Sequence, residues 1–331
     1  MSDQTLNWDS ASTAAFEQWQ SELCNANGKA LSDQTRKQRL AMYGKFLKFL
    51  YAREVPLSVL TVGSAEIELF LASLTNSAGT GEPNRSTSQR YVRLISDVID
   101  QLVSLGLRDS NPSSELLKQF SERGADRSAD KLPECLDAEQ DANLRRHILQ
   151  MPTDTWTACR NRAMLALFAG AGLTLYEGIH MRLQDVHLAK GEKKRLVTPA
   201  TPSGSRKVHD VPLAEWCVEP LADWIKCLHL RGDDWTFLFP SSTGGLNPDP
   251  IDEPLAENSV YSLISTALVA VGYAGADKGA AILRNTFALR NLVANTSQND
   301  LRSWMGLETD YQLFRIARRR GLWATEDRRP V

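Results

Sequence analysis

The chain has 331 residues, 42% of them hydrophobic and 24% charged, with a formal net charge of −2. Those proportions are ordinary for a soluble globular protein, the length favours two domains over one, and no run nears the roughly eighteen uninterrupted apolar residues of a membrane span. The five cysteines are odd in number, scattered and without a Cys-x-x-Cys pair, which argues against a disulfide framework or a zinc site and fits a reducing cytoplasm. No metal or cofactor is expected. Met1-Ser2-Asp3-Gln4 carries no basic stretch followed by an apolar one, so no signal peptide is expected either.

In chain order, Ser32-Asp33 marks a helix start, with Leu40, Tyr43, Phe46, Leu47 and Leu50 repeating at helical spacing behind it. A second amphipathic helix is predicted over Val62 to Leu74, then a polar loop over Asn76 to Pro83. A third helix is predicted from Ser86 or Thr87 to Leu102, ending at Gly106 and Asn111-Pro112, before a short helix near Ser114 to Phe120. Residues 122–130 have no apolar periodicity and read as a linker. Beyond it, helices are expected over Asp137 to Gln150 and through the apolar run Arg160 to Ala171. A hairpin is expected with Arg195 to Thr198 and Val208 to Val211 flanking Pro202-Ser203-Gly204-Ser205. Helices then resume over Leu213 to Leu230, Ser259 to Val271, Ala280 to Asn295 and Asp300 to Arg319. The expected fold class is mainly α with a small antiparallel β-sheet.

Basic residues cluster although the sum is acidic: Arg36-Lys37-x-Arg39, Arg85/Arg90/Arg93, Lys193-Lys194-Arg195, Arg206-Lys207, and Arg315 with Arg318 to Arg320. A solvated face yields the same pattern unless the fold brings clusters together.

Gly170-Ala171-Gly172-Leu173-Thr174-Leu175-Tyr176-Glu177, followed about a hundred residues later by Ala281-Ile282-Leu283-Arg284-Asn285-Thr286-Phe287-Ala288, resembles the paired motifs of the tyrosine recombinases (phage integrases). That family writes Gly-Leu-Arg-x-x-Glu and His-x-Leu-Arg-His-Thr-Phe-Ala. The resemblance covers nearly the whole chain. Gly106-Leu107-x-x-x-Asn111-Pro112, Leu132-Pro133, Arg182 to Val186, Val211-Pro212-Leu213 and Leu238-Phe239-Pro240 match further family segments in the right order. It implies a helical core-binding domain over 1–124, a linker over 125–133 and a recombinase-like catalytic domain over 134–331.

The family's reaction is transesterification at a DNA phosphate by a tyrosine. Two arginines clamp the phosphate with their planar forks, and a hairpin lysine and histidines handle protons. Slot by slot, the first arginine is replaced by Thr174, the first histidine by Ala281, and the later histidine or tryptophan by Leu307. The nucleophile position falls on Ile316, and the lysine position on Pro202 or Ser203. Arg284 is retained, with two readings open: a phosphate contact, or a buried ion pair to Glu177. Tyr311 is the nearest tyrosine to the nucleophile position, and its plain reading is a helix-face aromatic packed on the core; Tyr176 reads likewise as a packing residue.

The resemblance therefore implies a protein that binds double-stranded DNA and does not cleave it, serving as an accessory, architectural or regulatory factor in recombination or mobile-element biology. The alternative is a divergent recombinase using Tyr311 or completed in trans. The DNA-contacting candidates are Arg36, Lys37, Arg39, Arg85, Ser86, Arg90, Arg93, Arg206, Lys207 and Arg284, with Thr87, Ser88 and Gln89 as short donors. Expected partners are DNA and either an active recombinase or a second copy engaged through the C-terminal segment, which carries Trp323; no membrane partner is expected.

Overall fold

A computed structural model describes residues 7–24, 28, 30–74, 85–122, 132–188, 196–199, 208–244 and 248–322. The side chains of Arg85 and Ser86, the turn at 202–205, Lys193 to Arg195, Arg206, Lys207 and Trp323 lie outside the described residues. The chain divides into two compact units, Met1–Asp130 and Lys131–Val331. No described helix is long and apolar enough to cross a membrane.

The first unit holds α1 (Ser12–Glu22), α2 (Asp33–Tyr51), α3 (Ser64–Ser73), α4 (Arg85–Ser104) and α5 (Ser114–Glu122). Ser32 caps α2 by accepting from the Thr35 N–H at 3.2 Å. The predicted apolar face of α2 is buried, with Tyr43 stacked on Phe16 of α1 at 4.3 Å and Phe46 edge-on to Phe70 of α3 at 5.0 Å. The Gly-Leu-x-x-x-Asn segment works as a clasp on α4. Gly106 takes φ +69°, which L side chains resist, and closes the helix. Arg108 then reaches the carbonyls of Val59 and Val62, both at 2.8 Å, while Asn111 donates to the Ser96 carbonyl and to Asp100. Helix α1 escapes the sequence reading because Ala11 at its N-cap offers no capping oxygen and its face is only partly apolar.

The second unit comprises α6 (Ala138–Gln150), α7 (Trp156–Ala171), α8 (Leu175–Ile179), α9 (Val218–His229), α10 (Glu257–Ala270), α11 (Ala280–Val293), α12 (Gln298–Trp304) and α13 (Tyr311–Arg319). Strands β1 (Val186–His187), β2 (Leu196–Val197) and β3 (Val211–Pro212) form an antiparallel sheet in that order. The expected hairpin is present in the register Val197 opposite Val211. A second hairpin, β4 (Pro240–Ser242) with β5 (Pro250–Pro254), is not visible in the sequence, because prolines at both ends of β5 and at the start of β4 mask any strand signal.

Helix α7 is buried on nearly every side, as an apolar helix must be when other elements surround it. Its two buried arginines find partners outside the helix: Arg162 meets Glu219 at 3.2 Å and Asp223 at 3.3 Å, and Arg160 meets the Pro240 carbonyl at 3.4 Å. Arg290 of α11 grips buried Asp141 of α6 with two nitrogens, at 2.6 and 3.0 Å, and reaches the Ala169 carbonyl of α7 at 3.2 Å. Three helices are thereby locked around one carboxylate.

Two predicted helices are corrected. Leu213 to Leu230 is helical only from Val218, after a 3-10 turn at Glu215–Cys217. The single helix expected over Asp300 to Arg319 is two helices. Gly306 takes φ +56°, its N–H bonds the Ser303 carbonyl at 3.0 Å, and the Leu307 N–H bonds the Arg302 carbonyl at 3.0 Å. That pair of bonds around a left-handed glycine is a Schellman stop, so the chain leaves the α12 axis and restarts at Tyr311.

Candidate functional site

Helix α7 ends at Gly172 with φ +60°, where a Cβ would lie 2.5 Å from the Phe287 ring of α11. Only glycine lets the two helices approach so closely there. Two residues on, Thr174 N-caps the short helix α8: its Oγ1 accepts from the Glu177 N–H at 3.3 Å, and its own N–H donates to Glu177 Oε2 at 2.7 Å. This reciprocal capping box accounts for a threonine at this position, since arginine has no acceptor to cap with.

Glu177 is fully buried, and its carboxylate gathers the surrounding segments. Arg284 on α11 places Nη1 3.4 Å from Glu177 Oε2 and 2.8 Å from the Gly172 carbonyl, while its Nη2 donates to the Met305 carbonyl. His209 Nε2 lies 4.0 Å from Glu177 Oε1. Gly306 packs flat against that imidazole, where a Cβ would fall 2.8 Å from His209 Cε1. The end of α7, the cap of α8, the approach to β3 and the end of α12 thus meet around one carboxylate and one guanidinium. The sequence reading omitted His209, yet a signal existed: strand alternation puts His209, Val211 and Leu213 on one side, and all three are buried.

The remaining slots carry packing or solvent-facing roles. Asn285 donates to the Glu134 carbonyl at 2.9 Å, and Thr286 Oγ1 accepts from the Leu136 N–H at 2.9 Å, so α11 anchors the segment entering α6. Beside it lies a cavity of about 630 Å³ flanked by Glu134, Tyr273, Arg319 and Arg320, in which the Tyr273 hydroxyl donates to Glu134 at 2.6 Å. Burial, then that carboxylate, raises the tyrosine's pKa. Ala281 is exposed on the first turn of α11, Leu307 packs half-buried on the core, and Ile316 is 0% exposed within it.

Tyr311 departs from the expectation of core packing: it is 38% exposed at the first residue of α13, with the Arg315 guanidinium 5.7 Å from its ring centroid. Tyr176 is likewise surface-lying, stacked on His180 at 4.0 Å. In both cases helical spacing marks a face and does not say whether the core or solvent covers it.

The basic candidates of the first unit separate into two groups. Arg36 is ion-paired to Asp33, whose carboxyl it holds below the usual range, and Arg39 is braced by Asp97 at 3.1 Å over the Trp19 ring. Lys37, Arg90 and Arg93 are exposed. The Arg39–Asp97 contact sets α2 beside α4, and Arg90, Arg93 and Asp97 follow i, i+3, i+7 spacing on one stripe of α4. Ser88 is buried and drops out as a short surface donor. Among the described residues no group of three or more His, Cys, Asp or Glu side chains could hold a metal ion.

No protein-family model matches the chain. Two helical units with small antiparallel sheets, arranged in this chain order, define the tyrosine recombinase fold. The structure of XerH site-specific recombinase bound to palindromic difH substrate superimposes with a TM-score of 0.65, at 17% identity over 95% of this chain and 87% of that one. A lambda integrase dimer bound to a COC' core site gives 0.61 at 14% identity, covering 95% and 79%. In sequence, the chain is 34% identical over 115 residues to the tyrosine recombinase XerC of Xanthomonas campestris pv. campestris, covering 35% of this chain and 32% of that protein. It is 31% identical over 127 residues to XerC of Vibrio vulnificus, covering 38% and 35%. The matched stretch spans about a third of the length of each of these relatives. The fold is that of the tyrosine recombinases, and over about a third of its length the chain is similar in sequence to tyrosine recombinase XerC.

Proposed function

We propose that this protein binds duplex DNA as a member of the recombinase family and does not itself cut the strand, acting beside an active recombinase or as an architectural subunit. The observation that carries the reading is the engagement of Arg284. Its guanidinium, the one family arginine retained, bonds two backbone carbonyls and a buried carboxylate. A phosphate clamp instead presents its fork to the nonbridging oxygens. Burial of Ile316 at the nucleophile position and the capping role of Thr174 support the same reading. The exposed cations Lys37, Arg90 and Arg93 support a DNA-facing surface on the first unit, and solved relatives bear the fold on DNA. One observation favours a second reading, a divergent recombinase: Tyr311 is solvent-accessible with an arginine over its ring.

A nicked suicide substrate separates the two. Expected is a mobility shift that strengthens as salt falls and no covalent protein–DNA band under denaturing conditions. A covalent band that is lost in Tyr311→Phe overturns the non-cleaving reading. No shift at any salt concentration overturns DNA binding.

A further inference from the structure

Helices α7 and α9 pack antiparallel, and their contacts fix the register along the whole pair. Near one end, Cys217 Sγ donates to the Ala166 carbonyl at 3.2 Å. In the middle, Arg162 meets Glu219 and Asp223, and toward the other end the Trp156 and Trp224 rings lie 5.0 Å apart, edge to face. That register carries Cys159, on the first turn of α7, alongside Cys227, on the last turn of α9, as neighbouring side chains across the helix pair. Their burial differs: Cys159 is buried in the core, while Cys227 is half-buried at its edge.

We propose that Cys159 and Cys227 are a redox modification site, a dithiol that a two-electron oxidant of the peroxide class closes to a disulfide across α7 and α9. The half-exposed thiol is the point of entry. Cys227 sulfur attacks one oxygen of hydrogen peroxide, the O–O bond breaks, and water leaves, giving a sulfenic acid. Cys159 sulfur then attacks the Cys227 sulfur, the S–S bond forms, the S–O bond breaks, and the departing hydroxide takes the Cys159 proton to leave as water. Two thiols are oxidised by two electrons and one peroxide is reduced to two waters.

The order of events follows from the surroundings. Burial first, and then the neighbouring Cys227, pushes the Cys159 thiol up to about 12, so it stays protonated until its partner has been activated. The other cysteines of the second unit are poorly placed to compete. Cys217 faces α7 seven or more residues further along, about 10 Å at 1.5 Å per residue. Cys135 sits beside Arg319 and Arg320. A bond here would tie the start of α7 to α9 within the helix pair that leads to Gly172, Thr174 and Glu177.

The test uses the full, reduced chain at dilute concentration, treated with hydrogen peroxide, alkylated with N-ethylmaleimide and digested without reductant. Expected is a peptide pair joined through Cys159 and Cys227, lighter by two hydrogens than the sum of the reduced peptides and separated by dithiothreitol. In Cys159→Ser, dimedone should trap a sulfenic acid on Cys227 that it does not trap in the parent chain. Recovery of alkylated Cys159 alongside Cys227 that is sulfinic, joined to a second molecule or itself alkylated overturns the proposal.

Discussion

The backbone N–H of Thr174 and the guanidinium of Arg284 converge on the same oxygen of Glu177, at 2.7 and 3.4 Å. The two residues come from motifs about a hundred positions apart, and one buried carboxylate joins them. That oxygen is where the α7–α8 turn and α11 become a single structural node.

Removing one side of a buried ion pair leaves the other charge unpaired in a medium that cannot solvate it. Arg284→Ala also strips donors from the carbonyls of Gly172 and Met305. The variant is expected to lose about 3–5 kcal/mol in urea unfolding. A loss below about 1 kcal/mol would mean that the Glu177 carboxylate finds compensation elsewhere.

Gly172→Ala asks a residue with a Cβ to hold φ +60° and to sit 2.5 Å from the Phe287 ring. Left-handed strain and overpacking act together, and a destabilisation of about 2–4 kcal/mol is expected by denaturant titration. A neutral substitution would show that α7 and α11 can separate without cost.

If Arg90 and Arg93 neutralise phosphates, replacing both with alanine weakens binding to unrelated duplexes alike. It also lowers the slope of log K against log salt by about one unit for each phosphate that is no longer neutralised. A binding isotherm and slope identical to the parent, in a folded variant, would place the DNA surface elsewhere. Tyr311→Phe should leave the isotherm unchanged, because the reading assigns the phenol no part in DNA binding; a weakened isotherm would implicate it.

Asp252 at β5 accepts from the N–H groups of Thr236 and Phe237 at 3.1 Å. Burial pushes its carboxyl up, but these bonds outweigh it and the pKa ends below the usual value. A depressed folded pKa contributes stability that is fully present above the unfolded value near 3.9 and is lost as pH falls through the folded one. The stability gap between the parent and Asp252→Asn should therefore narrow below about pH 4. A gap that stays constant from neutral to pH 3 would rule out this carboxylate as the titrating group.

Much of the frame was legible in the sequence because its signals are local. Ser32, Asp137 and the Gly106 to Asn111 clasp announce helix ends through capping chemistry that depends on a few neighbours. The site was legible in its members, Thr174, Glu177 and Arg284, but not in their occupations. That Thr174 caps α8 and Arg284 serves carbonyls follows from distances set by tertiary packing. The break at Gly306 was missed because apolar spacing continues across it, and only the left-handed turn changes direction. His209 was missed because its alternation with Val211 and Leu213 marks a buried side but does not say what the imidazole meets there, which only the placing of Glu177 and Gly306 around it shows.

If Ile316 occupies the nucleophile position, its burial limits which side chains can stand there. An isoleucine codon becomes a tyrosine codon by two base changes, so the genetic step is small and the structural one decides. Here the corresponding side chain is at 0% exposure among Leu313, Ala317 and the rest of the core. Returning a tyrosine would force a larger ring and an unpaired hydroxyl into filled space, an overpacking penalty of about 1–3 kcal/mol before the hydroxyl's desolvation is counted. A tyrosine placed at this position would therefore come at the expense of the fold's stability.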